Sequence, residues 1–406
     1  MAFIIFLKGA RMKFRTQPAK GTKDILPEDM ALRNYVQDTI RNTYKEKGFT
    51  QIQTPSIENI DLLTNSDGGE NLRMLFKILK RGEKLDASGN ENDLADLGLR
   101  FDLTLPLSRF YANNRNELPL PFKAIQIGDV WRAERPQKGR YRQFMQCDVD
   151  IIGEASIVSE IELLTTVPEA IKRLGFDNFT IKINDRRLLK DMVVSADIDE
   201  AVFGSVCIIL DKVDKIGIEG VKKELAAKEL SETQIDNLIK RMDTRLEDMD
   251  LDASREIQTI IDIVSKYYPI EFDPTLVRGM GYYTGAIFEV QSSEFKGSLG
   301  GGGRYDNLLN KYQNDPIPAV GFSIGFERIL DLLKSKGVSV DAQDKIAFVY
   351  IDNQYLEKAV ELSQDLSGQG KITSIYQVKK NKIGKKIKRL ESEGFSEIIV
   401  VDKLEQ

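Results

Sequence analysis

The clearest polarity pattern in the 406-residue chain runs from Phe144 to Ile151. Met145, Cys147, Val149 and Ile151 share one parity, and Phe144, Gln146, Asp148 and Asp150 share the other. Successive side chains of a strand face opposite ways, so this segment predicts an apolar back and a polar front. A second strand begins at Phe122, and a basic loop containing Pro136 and Gly139 joins the pair. Arg132 and Glu134 leave the first strand just before that loop, and Arg135, Lys138, Arg140 and Arg142 follow. Fixed cations beside carboxylates fit a polyphosphate held over a sheet, with a cationic group nearby. A solvated basic hairpin is the competing reading.

Elsewhere the pattern alternates between the two periods. Leu32, Tyr35, Val36, Ile40 and Tyr44 form a helical stripe, and Gly48 is placed to end it. Phe49–Glu58 reads as a strand that accepts Pro55 only at an edge or a bulge. Phe76–Leu79 predicts a strand and Arg81–Asp96 a polar loop. Leu99–Thr104 predicts a strand end leading into a helix through Phe110, with Asp102 and Thr104 sharing parity. Ile157–Leu174 predicts a helix and Phe179–Asn184 a strand. Residues 185–270 form a mainly helical insertion, in which Ser231 and Gln234 have capping-box spacing. Gly297–Arg304 is a glycine run without the Gly-Lys-Ser/Thr ending of a phosphate-binding P-loop, read as lying beside a strand. Ala319–Leu330 is a strand, a glycine turn and a helix start that carries Arg328 in its first turn, where the helix dipole disfavours a cation. After a linker at 335–344, residues 345–406 read as a small α/β unit with a lysine-rich helix.

Composition narrows the chemistry. A charged fraction of 30% and a hydrophobic fraction of 41% describe an ordinary soluble protein. A net charge of −5 leaves RNA contact to local basic patches such as the Lys379–Arg389 helix. Two cysteines exclude a disulfide framework and a thiolate zinc site. Histidine is absent altogether, which removes a histidine base, a histidine triad and histidine-ligated metals. No segment approaches a transmembrane span, and the expected location is the cytoplasm. Residues 1–18 read as an N-terminal extension, and Met12 is an alternative start that leaves Met1–Arg11 disposable.

Two further segments hold candidate ligands. A carboxylate and a hydroxyl at Asp102 and Thr104 suit an ammonium group; a helix cap is the plain alternative. Arg278-Gly-Met-Gly-Tyr-Tyr283 brings Arg278, Tyr282 and Tyr283 onto a glycine-rich turn, suited either to phosphate and polar-ring recognition or to simple packing.

Taken in order, these segments resemble the class II histidyl-tRNA synthetases from about Ala19 to the end of the chain. Trp131-Arg-Ala-Glu-Arg-Pro-Gln-Lys-Gly-Arg-Tyr-Arg-Gln-Phe144 matches motif 2, Thr54-Pro55 the end of motif 1, and Gly325-Phe-Glu-Arg328 motif 3. Leu99–Thr104 and Arg278–Tyr283 match segments specific to the histidine enzymes. The resemblance implies an α+β fold: an antiparallel sheet of six or seven strands flanked by helices, in two parts (19–184 and 271–336). It also implies a helical insertion (185–270) and an anticodon-binding-like domain (345–406) that is shorter than usual.

The implied activity is charging of tRNA(His) with L-histidine through an adenylate made from ATP, with Mg2+, by a cytoplasmic homodimer. By resemblance, Arg132 and Arg278 are catalytic and grip the α-phosphate. Asp102, Leu103, Thr104, Gln146, Asp150, Tyr282 and Tyr283 contact histidine together with those arginines. Glu134, Phe144 and Arg328, with Arg132, hold ATP. Arg135, Gln137, Lys138, Arg140 and Arg142 meet the tRNA acceptor end, and Lys385 and Lys388 the anticodon arm. No resident metal site is implied. Gly281 stands where many relatives have Asp. The rival within the same fold is a histidine-sensing regulatory subunit of ATP phosphoribosyltransferase, which typically lacks the catalytic arginines. Absence of histidine fits a synthetase whose own translation does not need its substrate, or simple drift.

Overall fold

The computed structural model describes residues 16–64, 74–82, 94–136, 141–278, 282–294, 297–312, 316–338, 340 and 344–402. The chain divides into two units, one ending at Gly337 and the other starting at Val338.

The first unit is built on an eight-stranded sheet. In chain order its strands are β1 (Thr50–Gln51), β5 (Phe122–Trp131), β6 (Gln143–Ile152), β7 (Phe179–Asp185), β8 (Ile270–Phe272), β9 (Ala286–Ser292), β10 (Ser298–Arg304) and β11 (Ala319–Ile324). Across the sheet they run β1-β5-β6-β11-β10-β9-β7-β8. The six inner strands are antiparallel, while β1 and β8 pair parallel at the two edges. The expected six or seven strands therefore become eight, because two very short edge strands are added. A separate small sheet holds β2 (Ile57–Asn59), β4 (Ala95–Leu99) and β3 (Lys77–Leu79), in that order.

Helix α1 (Pro27–Glu46) starts with proline at its first position and Glu28 and Asp29 in its first turn, both favourable there. Leu32, Val36, Ile40 and Tyr44 are buried, but Tyr35 is exposed. The helix ends as expected at Gly48, whose φ of +83° suits glycine. The predicted strand at 49–58 is not continuous. It breaks between β1 and β2 around Pro55, which can neither donate to a ladder nor sit in a central strand. The carbonyls of Thr54 and Pro55 are taken by Nη1 of the buried Arg100, at 2.8 and 3.4 Å.

Helix α2 (Ile60–Thr64) is short, and α3 (Thr104–Asn114) begins directly at Thr104. Asp102 and Thr104 therefore stand at a helix entrance rather than on a strand end. Leu103 holds the N-cap position, and Asp102 Oδ1 just before it accepts the first-turn N–H of Leu105 at 3.1 Å. Helix α4 (Val158–Arg173) packs behind the sheet with α1.

The helical segment after β7 contains α5 (Arg186–Val194), α6 (Phe203–Leu210), α7 (Val213–Ala226), α8 (Glu232–Met242) and α9 (Asp252–Val264). The capping box at Ser231 and Gln234 is formed in both directions. This segment shares its core with the sheet. Ile257, Ile260 and Val264 join the cluster behind the sheet with Cys147, Val149 and Ile151. Leu189, Leu210 and Leu238 join the opposite cluster with Ala124, Ile152 and Ile287. Helix α10 (Phe326–Ser335) closes the unit.

The glycine run is itself a central strand, β10, paired on both sides. The expectation that it lies beside a strand is corrected: it carries no side-chain pattern from which to read a period. In the second unit, β12 (Lys345–Tyr350) lies between β13 (Ile372–Gln377) and β14 (Glu397–Val401), all parallel. Ile346, Phe348 and Tyr350 share a cluster with Ala359 of α11 (Leu356–Gly368). Ala347 and Val349 pack with Leu390 of α12 (Ile383–Ser392). A parallel sheet buried on both faces follows from this alternation.

Candidate active site

The polar parity of β6 becomes a floor. Register places Gln126, Asp148, Ser323, Gly301 and Glu289 in one row across β5, β6, β11, β10 and β9. Above it lies a cavity of about 470 Å³. The entrance of α3 supplies Asp102 and Thr104 to its wall. The segment before β9 supplies Arg278, Tyr282 and Tyr283, and the start of α10 supplies Phe326, Glu327 and Arg328.

Four buried acceptors in this wall lack a protein partner: Asp102 Oδ2, Gln146 Oε1, Asp148 Oδ1 and Asp150 Oδ2. Their sister atoms are fixed. Asp102 Oδ1 takes the Leu105 N–H, Gln146 Nε2 donates to Ser323 Oγ at 3.3 Å, and Ser323 bonds Asp148. Tyr305 Oη donates to Asp150 Oδ1 at 2.5 Å. A buried acceptor left unpaired costs on the order of 1–3 kcal/mol, more when charged. Four of them around one cavity define a place for a ligand rich in N–H donors.

Burial pushes the three carboxyls up, Asp102 to about 6 and Asp150 to about 7. Asp148 is raised well above the usual range, first by burial and then by the neighbouring Asp150. Such a group of acids favours a cationic guest. Tyr282 meets Tyr283 and Tyr305 edge-on, with ring centroids 5.0 and 5.9 Å away. These rings enclose the end of the cavity where Asp150 lies, as a flat polar ring would require.

The opposite charge comes from three arginines. Arg132 bonds the Phe101 carbonyl through Nε at 3.0 Å and lies over the Phe144 ring at 5.1 Å. Arg278 donates to Glu289 at 2.5 Å. Arg328 is exposed at the rim and bonds Ser298. Arginine side chains set around one cavity suit phosphate oxygens, which accept paired N–H donors.

The glycines of the floor make room for these groups. A Cβ on Gly301 would fall 2.3 Å from Arg278 Nη1, and one on Gly321 would fall 2.0 Å from Asp150 Oδ1. A Cβ on Gly303 would meet Tyr283 Cδ1 at 2.9 Å. Absent side chains on β10 and β11 thus leave the space that functional side chains occupy.

Most sequence-predicted site residues meet here: Asp102, Thr104, Arg132, Glu134, Phe144, Gln146, Asp150, Arg278, Tyr282, Tyr283 and Arg328 all line the cavity. Leu103 does not; its side chain is buried elsewhere and its carbonyl accepts Gln126 Nε2 at 3.0 Å. Arg135 is exposed, and Arg142 is half-buried with Nε on the Glu134 carbonyl at 3.1 Å. Gln137, Lys138, Arg140 and Gly281 lie outside the described residues. Lys385 and Lys388 are exposed on α12 of the second unit. Sequence reasoning missed Asp148, Tyr305, Ser323 and Glu289 as site residues. Parity put Asp148 on the polar face, and Tyr305 follows the glycine strand, but Ser323 and Glu289 emerge only from strand pairing.

The chain is similar to known proteins along most of its length. A family profile described as histidyl-tRNA synthetase matches residues 21–329. The histidine–tRNA ligase of Leifsonia xyli subsp. xyli is 37% identical over 412 aligned residues, covering 95% of each chain. The crystal structure of histidyl-tRNA synthetase from Nostoc sp. PCC 7120 superposes with a TM-score of 0.79 at 25% identity, over 94% of this chain and 90% of that one. A Bacillus halodurans structure, described as an ATP phosphoribosyltransferase regulatory subunit/histidyl-tRNA synthetase, shares the fold with a TM-score of 0.77 at 21% identity. It covers 97% of this chain and all of that one. On this evidence the chain belongs to the histidyl-tRNA synthetase family, within the class II aminoacyl-tRNA synthetases.

Proposed function

We propose that the cavity makes histidyl-adenylate from L-histidine and ATP and passes the histidyl group to tRNA(His). The observation that carries this reading is the meeting of four orphaned acceptors and three arginines around one cavity. Asp102, Thr104 and Gln146 hold the α-ammonium group. Asp150, Tyr282 and Tyr283 hold the imidazole, and Arg132 and Arg278 draw the carboxylate and the α-phosphate together. Phe144 and Arg328 hold the adenine and the outer phosphates.

The carboxylate of histidine attacks the α-phosphorus, and pyrophosphate leaves. That nucleophile is already ionised, so a chain without histidine lacks nothing the step requires. Catalysis rests on positioning and on stabilising charge that develops on the phosphate. The terminal hydroxyl of tRNA then attacks the adenylate carbonyl to form the ester and release AMP.

Magnesium enters this reading as an ion carried by the nucleotide. Among the described residues no three acids gather into a metal cage. Mg2+ on substrate phosphates needs only one or two carboxylates, and Glu134 in the cavity wall can provide one. Bound there, the ion would neutralise phosphate charge.

The basic loop after β5 meets the acceptor end, and Lys385 and Lys388 meet the anticodon arm. The protein acts as a homodimer in the cytoplasm. The dimer is supported by exposed Leu26, Tyr35 and Ile57 around α1 and β2. No helix among the described residues is long and apolar enough to cross a membrane. The three arginines weigh against a purely histidine-sensing role. Charging of a tRNA(His) transcript with labelled histidine tests the reading, which an absence of ester formation would overturn.

A further inference from the structure

The segment leading into α1 is not idle. The Gly21 carbonyl accepts the main-chain N–H of Arg142 at 2.7 Å. Gly21 has a φ of +87°, and a Cβ there would fall 2.8 Å from Arg142 Cγ and 2.9 Å from Pro136 Cγ. Two residues on, Lys23 Nζ lies 3.1 Å from Glu327 Oε2 and 4.1 Å from the centroid of the Tyr141 ring. The ammonium thus joins the base of the loop between β5 and β6 to the first turn of α10. Tyr141 and Glu327 both line the cavity, and Arg328 follows Glu327 directly.

The geometry is more than Glu327 needs for charge balance. That buried carboxylate already has Arg33 at 2.8 Å, and Arg33 lies over Phe326 at 4.9 Å. Arg33 and Glu327 are both nearly enclosed, whereas Lys23 keeps about a third of its side chain exposed. Arg33 fastens α10 to α1, and Lys23 adds the link from α10 to Tyr141.

We infer that Lys23 is a positioning residue for the nucleotide. It sets the spacing between the strand ends that carry Arg132 and Phe144 and the helix start that carries Arg328. It touches neither the reacting atoms nor the histidine end of the cavity, where Asp150 and Tyr283 lie. This role rests on the reading that the cavity binds ATP.

The test uses Lys23→Ala and Lys23→Arg in histidine-dependent ATP–pyrophosphate exchange. Trp131, the chain's only tryptophan and the neighbour of Arg132, supplies a second readout through its fluorescence during ATP titration. Lys23→Ala should raise KM and Kd for ATP about tenfold, a factor that corresponds to about 1.4 kcal/mol. KM for histidine should stay within about twofold by the same measure. Lys23→Arg should restore most of the ATP affinity, because guanidinium can bond a carboxylate and stack on a ring. Equal rises in both KM values, or no change in ATP affinity while the wild type exchanges normally, would overturn the inference. A wild type without exchange would instead overturn the functional reading beneath it.

Discussion

Tyr305 holds one oxygen of Asp150 and leaves the other to the cavity. Its hydroxyl lies 2.5 Å from Oδ1, while Oδ2 is buried without a partner. The tyrosine follows β10 and the aspartate lies on β6, with β11 between them. The bond lowers the proton affinity of a carboxyl that burial raises, and it fixes which oxygen remains for a ligand. Tyr305→Phe should therefore weaken histidine binding about tenfold, the weight of a charge-assisted hydrogen bond. KM for ATP should stay close to wild type. Steady-state exchange kinetics with each substrate varied in turn separate the two.

Two glycine substitutions should divide the site. Gly301→Ala brings a methyl group onto the Arg278 guanidinium, and Gly321→Ala brings one onto Asp150. The first should lower kcat for exchange, on the order of a hundredfold if Arg278 moves about 1 Å. The second should act mainly on KM for histidine. Pre-steady-state adenylate formation with each variant checks the division.

The buried acids give a pH dependence of stability with a definite sign. Burial lifts Asp102 to about 6 and Asp150 to about 7 in the folded protein, above the 3.8 of an ordinary aspartate. A raised carboxyl stabilises the fold fully below its unfolded value, and that contribution is lost as pH rises through the folded value. The ligand-free protein should therefore lose Tm from these groups between about pH 4 and pH 7. Bound histidine, whose ammonium group favours the ionised carboxyls, should narrow the loss. Thermal unfolding across this range, with and without histidine, measures both effects.

The lysine-rich helix predicts a salt effect confined to tRNA. Lys385→Ala with Lys388→Ala should weaken tRNA binding and reduce its salt slope by roughly 1 to 2, since each phosphate contact contributes about 0.7 to 0.9. Adenylate formation needs no tRNA and should not change. Filter binding at several salt concentrations, beside pyrophosphate exchange, tests this pair of outcomes.

What the sequence revealed depended on whether a residue's role was local. Alternation through Phe144–Ile151 identified the floor, because one face had to be apolar and the other polar. The Asp102–Thr104 pair is legible in the sequence, but its setting is not a strand end: helix α3 begins at Thr104, and Asp102 accepts an amide of its first turn. The glycine run concealed a central strand, since its purpose is the space above it. Glu289 and Ser323 belong to the site through strand pairing with positions far away in sequence, which no local pattern reports. The helical segment from Arg186 onward looked separable by composition, yet Ile257 and Val264 complete the core behind the sheet.

In the proposed reaction the four orphaned acceptors recognise histidine while the arginines act on ATP. Amino-acid-dependent ATP–pyrophosphate exchange tests it most directly, with histidine, histidinol and imidazolepropionate compared. Histidine alone should support exchange. Histidinol, which keeps the ammonium and imidazole groups but has no carboxylate, should compete without supporting it. Imidazolepropionate, which lacks the ammonium group, should neither compete well nor turn over efficiently. Exchange that is absent with histidine, or that runs equally well with imidazolepropionate, would contradict the account.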